Sequence, residues 1–136
     1  MRVYLAGTGG KDKTDWNVRL IEQLTVDYFD SHDLTLSNRN KVSVLKSFQN
    51  EGCDYYVCVI TPKTEQYWTH IANIIEFVIS HPNKAIICYD SLDMGVRFSQ
   101  QQIQSILEIC RTVSKYGGKV FTNLRDLAVY LNGISG

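Results

Sequence analysis

Asp54–Tyr89 reads DYYVCVITPKTEQYWTHIANIIEFVISHPNKAIICY, and its punctuation decides the fold. Residues 55–60 are a short aromatic and β-branched run, the pattern of a strand buried on both faces. Thr61-Pro62 ends it, because proline lacks a ladder donor and restricts the residue before it. A helix is expected from about Tyr67 to Ser80, where Pro82-Asn83 breaks it. Residues 85–89 (AIICY) then form a second buried strand. Strand, helix and strand make a βαβ unit, with the two strands parallel through a right-handed crossover.

One side chain in that unit breaks the pattern. The core stripe of the helix is expected to be Ile71, Ile74, Ile75 and Val78, spaced i, i+3, i+4, i+7. Glu76 falls off this stripe, on a flank shared with Thr69, Asn73 and Ser80 and made partly apolar by Phe77. A glutamate there is either an ordinary solvated helix residue or a carboxylate held beside apolar surface for a function.

Working outward, Arg2–Ala6 forms the opening strand and runs into Gly7-Thr8-Gly9-Gly10. Thr14 or Asp15 can cap the next helix. That helix carries Trp16, Leu20, Ile21, Leu24 and Tyr28 near one face and ends around Phe29-Asp30. Leu34-Thr35-Leu36 is the expected second strand. Asn38–Asn50 follows as a helix, with Val42, Leu45 and Phe48 inward and Gly52 as its stop. Beyond Tyr89, a polar loop spans Asp90–Gly95. Ser99 caps a helix whose stripe is Ile103, Ile106, Leu107, Cys110 and Val113, ended by Gly117-Gly118. Lys119–Phe121 is a short fifth strand, and Thr122 caps a last helix with Leu124, Leu127, Ala128 and Leu131 inward. The expected fold is therefore a single α/β domain over 1–136: a doubly wound, five-stranded parallel sheet in the flavodoxin-like order 2-1-3-4-5, with helices on both faces.

The totals exclude several functions. The chain has 136 residues, 44% hydrophobic and 21% charged, with a formal net charge of zero. No basic surface is advertised, so duplex nucleic acid is not an expected partner. No apolar run reaches the length of a membrane span, and no signal peptide precedes the first strand. Cys53, Cys58, Cys88 and Cys110 show no CxxC spacing. They read as buried free thiols in a reducing, cytoplasmic compartment. The histidines and cysteines lack metal-ligand spacing, so neither a metal nor a resident cofactor is expected.

Sheets of this kind bind ligands at the carboxyl ends of their strands where the order reverses, here between the first and third strands. The rim would be Gly7, Thr8, Gly9 and Gly10 on one side and Thr61 with Pro62, Lys63 and Thr64 on the other. The glycine loop could cradle a phosphate or ribose, or be a plain tight turn; it is neither a Walker A sequence nor GxGxxG. Trp16, Tyr67 and Trp68 could stack on a nucleobase or simply pack. His70 is either a general acid or a surface histidine.

The segments VYLAGTGG with Trp16, CDYYVCVITPKT, the IIEF helix, NKAIICY and the closing GGKVFTNLRDLAVYLN together resemble the nucleoside 2-deoxyribosyltransferase-like family, including its small members often found in phage genomes. The resemblance covers most of the chain. It implies cleavage or transfer at the N-glycosidic bond of a nucleoside or nucleotide. A glutamate on the helix after the third strand attacks C1′, forming a covalent glycosyl-enzyme that a second base or water resolves with retention. Glu76 is the matching position, and Tyr4 matches a tyrosine that positions the glutamate. Gly7 and Thr8 match the loop lining the pocket, with Gly9, Trp16, Thr61, Asn73 and His70 beside it. A carboxylate nucleophile suits an oxocarbenium-like centre. Relatives complete their pockets across subunits, which implies a homo-oligomer.

Two family aspartates have no counterpart: one position falls at Leu45-Lys46-Ser47, the other at Thr69 or His70. Their loss motivates the alternative of a non-catalytic nucleotide sensor. A third expectation is a TIR-like NAD hydrolase, whose fold also sets a glutamate on a helix after a central strand.

Overall fold

A computed structural model describes residues 1–7, 16–31, 43–62, 67–90, 92–93 and 96–134. Five parallel strands form the sheet: β1 (Arg2–Gly7), β2 (Asp27–Asp30), β3 (Tyr55–Ile60), β4 (Ala85–Tyr89) and β7 (Lys119–Phe121), in the order β2-β1-β3-β4-β7. All four pairings are parallel, with Tyr4 opposite Phe29 and Tyr56, and Tyr56 opposite Ala85. This is the expected 2-1-3-4-5 sheet. An antiparallel pair of two-residue strands joins β5 (Leu92–Asp93), inside the expected polar loop Asp90–Gly95, to β6 (Val96–Arg97), just beyond it.

Strand alternation divides the core in two. On one face Tyr4, Tyr56, Cys58 and Ile60 meet α2 (Val44–Asn50), α3 (Tyr67–Ser80) and α4 (Gln100–Lys115). On the other, Val3, Leu5, Val57, Val59 and Ile86 meet α1 (Trp16–Ile21) and α5 (Leu124–Ile134). The first face holds a run of stacked rings. Tyr4 lies on Tyr56 at 5.5 Å, Tyr56 on Phe77 at 4.6 Å, and Phe77 on His81 at 4.9 Å.

The helix α3 and strands β3 and β4 occur where the sequence puts them. The first helix does not: it stops at Ile21, and Asp27–Asp30, expected within or beyond its last turn, is the edge strand β2. Asn132 of α5 supplies the reason. Its Oδ1 accepts the Thr25 amide at 2.8 Å, and its Nδ2 donates to the Gln23 carbonyl at 2.9 Å. These bonds take up backbone groups that a longer helix would have paired internally. The expected strand at Leu34–Leu36, and the expected helix from Asn38 as far as Val42, lie outside the described residues.

Smaller corrections follow the same logic. Asn123, not Thr122, caps α5, accepting the Asp126 amide at 2.8 Å. Ser99 caps α4 as expected, and the structure adds Gln102, whose side chain closes a reciprocal box with it. The buried stripe of α4 is Ile106, Ile109, Cys110 and Val113, whereas Ile103 and Leu107 are exposed. That helix packs on α3, β4 and β7, and the sheet ends at β7, so no described strand lies beyond to cover them.

Candidate functional site at the carboxyl edge of the sheet

The strand order reverses between β1 and β3, and the residues at their ends are built for close approach. Gly7 pairs with Val59 and has φ +151°. A Cβ placed on it would lie 2.1 Å from the Val59 carbonyl oxygen and 2.9 Å from Trp16 Cζ2. Glycine is therefore required by both backbone conformation and space. Beyond β3, Thr61 is 1% exposed and Pro62 is also buried. The Asp90 amide, just after β4, donates to the Ile60 carbonyl at 3.1 Å and ties the next loop to this edge. Gly7→Ala should lower stability by about 1–3 kcal/mol through overpacking. Urea unfolding measures it; an unchanged midpoint would mean that β1 and β3 can separate here without cost.

Trp16 is 1% exposed, with its ring in the core beside Leu20 and against Gly7. Its ring packs in the core instead of offering a surface on which a base could stack. Thr8, Gly9, Gly10, Lys63 and Thr64, and the side chains of Tyr67 and Trp68, lie outside the described residues.

Tyr4 is also a core residue. Three residues below Gly7 in β1, it is 1% exposed, and its hydroxyl bonds to Ser47 Oγ at 3.1 Å. Glu76 lies elsewhere. Two residues from the buried Ile74, it is turned roughly 200° around the helix, and it sits roughly 13 Å along the axis from Tyr67. Its side chain is exposed with Thr69 and Ser80, and Ser80 Oγ donates to its backbone carbonyl at 3.0 Å. Phe77, expected to lend this flank its apolar character, is fully buried against the sheet. Tyr4 and Glu76 are thus on opposite sides of α3 and do not meet. His70 and Asn73 are half-buried, about one turn apart.

Among known proteins, no family model, curated protein or solved structure matches this chain.

The edge carries a second polar group that the sequence did not advertise. Asp30 closes β2 opposite Leu5, and Asn17 is the second residue of α1; both are 5% exposed. Asn17 Nδ2 donates to Asp30 Oδ2 at 2.9 Å. The sign that could have found them is an acid closing a strand some twenty residues after a glycine turn, the ribose-binding position of dinucleotide folds. It was hidden because Asp30 read as the end of a helix.

Among the described residues, no three of the types His, Cys, Asp and Glu come together as metal ligands, and no helix is long and apolar enough to cross a membrane.

Proposed function

We propose that this chain binds a nucleoside or nucleotide across the carboxyl ends of β1 and β3, and that Glu76 takes no part in chemistry on it. The outward turn of Glu76, on the side of α3 opposite Ile74, Phe77 and Val78, is the observation that carries the second half. The strand reversal at Gly7 and the resemblance to nucleoside 2-deoxyribosyltransferase-like proteins support the first. The binding would occur in a reducing cytoplasm, in keeping with four free cysteines.

The rival is N-glycosidic bond cleavage or transfer through Glu76. It retains the support of the IIEF motif, and it needs a homo-oligomer in which a second copy brings a pocket to the outer face of α3. A TIR-like NAD hydrolase would need the same.

Calorimetry with nucleosides and their monophosphates, with product analysis by mass spectrometry, separates these. Binding without product, unchanged in Glu76→Ala, is the expected result. Base release or exchange by the wild type that disappears in Glu76→Ala would establish the rival, and nicotinamide release from NAD would establish the TIR-like activity. No binding and no turnover across the panel would remove all three.

A further inference from the structure

Parallel strands all begin at one edge of the sheet, so the residues at their starts lie side by side however far apart they are in the chain. Across this amino edge, in sheet order, stand Asp27, Arg2, Asp54, Lys84 and Lys119. Asp54 and Lys84 come just before β3 and β4. The Asp54 amide donates to the Arg2 carbonyl at 2.8 Å, and the Tyr56 amide to the Lys84 carbonyl at 2.9 Å. The charges divide into two halves. Along β2, β1 and β3, Arg2 serves three carboxylates: its Nε is 3.4 Å from Asp27 Oδ2, its Nη1 3.5 Å from Glu51 Oε2, and its amide donates to Asp54 Oδ2 at 2.9 Å. One positive charge against three negative leaves this half acidic. Along β4 and β7 stand Lys84 and Lys119, joined by Lys115 at the end of α4. The Asn83 amide draws that helix end to the start of β4 by donating to the Tyr116 carbonyl at 3.1 Å. All three lysines are exposed, and among the described residues none has a carboxylate partner.

Neighbouring strands lie about 4.8 Å apart, so the centres of the two halves are roughly 12 Å from each other. Surface charges that far apart are largely screened at physiological salt, where the Debye length is about 8 Å. The halves therefore do little for each other within one molecule. What complements both at once is the same edge turned end for end. A two-fold axis perpendicular to the sheet, passing between the starts of β3 and β4, sets Asp54 of one protomer opposite Lys84 of the partner subunit, and the reverse. Met1 and Tyr116 lie on the same edge, 40% and 37% exposed, and add apolar contact. We propose that the amino edge is a self-complementary interface through which two copies of this chain form a salt-sensitive dimer. The carboxyl edges, at the other ends of the same strands, then face outward. Each protomer keeps its own ligand edge, and the dimer does not depend on the nucleotide reading above.

Sedimentation velocity on the full chain, over a range of protein concentrations, tests it. The dimer should weaken at least about tenfold between about 50 mM and about 500 mM NaCl, because salt screens the charges that hold it. Lys84→Glu with Lys119→Glu makes both halves acidic, and Asp27→Lys with Glu51→Lys makes both basic. Each double variant should be monomeric alone, and an equimolar mixture of the two should dimerise again. Asp27→Asn with Glu51→Gln keeps the side-chain shapes and serves if the reversed acidic pair does not fold; it should weaken the dimer and flatten its salt dependence. A wild type that stays monomeric at every salt and concentration would overturn the interface. So would a dimer indifferent to salt and to the lysine reversals, or folded charge-reversed variants that remain apart when mixed.

Discussion

Phe77→Ala should destabilise the fold by about 3–5 kcal/mol, the cost of emptying a large aromatic site in a core that collapses only partly. Phe77 is 0% exposed and stands at the junction of the aromatic packing. Besides stacking on Tyr56 and His81, it takes the Phe48 ring edge-on at 4.8 Å. Its loss separates α2 from α3 as well as α3 from the sheet. The adjacent substitution makes the contrast: Glu76→Ala should change stability by no more than about 0.5 kcal/mol, as for other exposed positions free of special contacts. Urea midpoints of the two variants decide the matter. A Glu76→Ala variant destabilised as much as Phe77→Ala would mean that the carboxylate, not the ring, is the buried member.

Stability should also fall steeply between about pH 9 and pH 12. Burial pushes the Cys58 thiol from its ordinary 9.0 to about 12, with Cys110 adding to it. Burial likewise raises Cys88, with Asp90 the next contributor, and it raises the Tyr56 hydroxyl well above 10.0. In each case the folded state holds its proton more tightly than the unfolded chain. Below pH 9 both states are protonated and the contribution to stability is intact. As pH rises past 9 the unfolded thiol ionises first and stability drains away, until the folded thiol ionises too, near pH 12 for Cys58. At about 1.4 kcal/mol per pH unit, Cys58 by itself sets a ceiling of about 4 kcal/mol on that loss. Urea unfolding at pH 8, 10 and 11 measures the slope, and Cys58→Ala should flatten it. A wild-type midpoint level across this range, or a slope identical in the variant, would show that the Cys58 thiol does not differ between the two states.

The elements that local chemistry specifies were legible. Two β-branched, aromatic runs bracket a helical period between Thr61-Pro62 and Pro82-Asn83, and β3, α3 and β4 fall there. Ser99 with Gln102 forms a cap from residues three apart, which needs no tertiary knowledge. The direction of each side chain around α3 was harder. The expected stripe of Ile71, Ile74, Ile75 and Val78 and the buried one of Ile74, Phe77 and Val78 differ by a fraction of a turn. Only the rings of Phe48, Tyr56 and His81 select between them, and that choice buries Phe77 and leaves Glu76 in water. The same holds for Trp16, whose burial depends on a glycine in β1 with no side chain to exclude it.

The sequence by itself determined the class of fold, the order of the sheet and the place where its strands reverse, because strand and helix periods and proline breaks are written over neighbouring residues. Only the tertiary structure decided where the first helix ends, which segment becomes β2 and that Asp30 meets Asn17 beneath α1. Those outcomes depend on Asn132, more than a hundred positions away, reaching the backbone at Gln23 and Thr25. A hydrogen bond of that span leaves no trace in local periodicity, since its two ends become neighbours only after the sheet has formed.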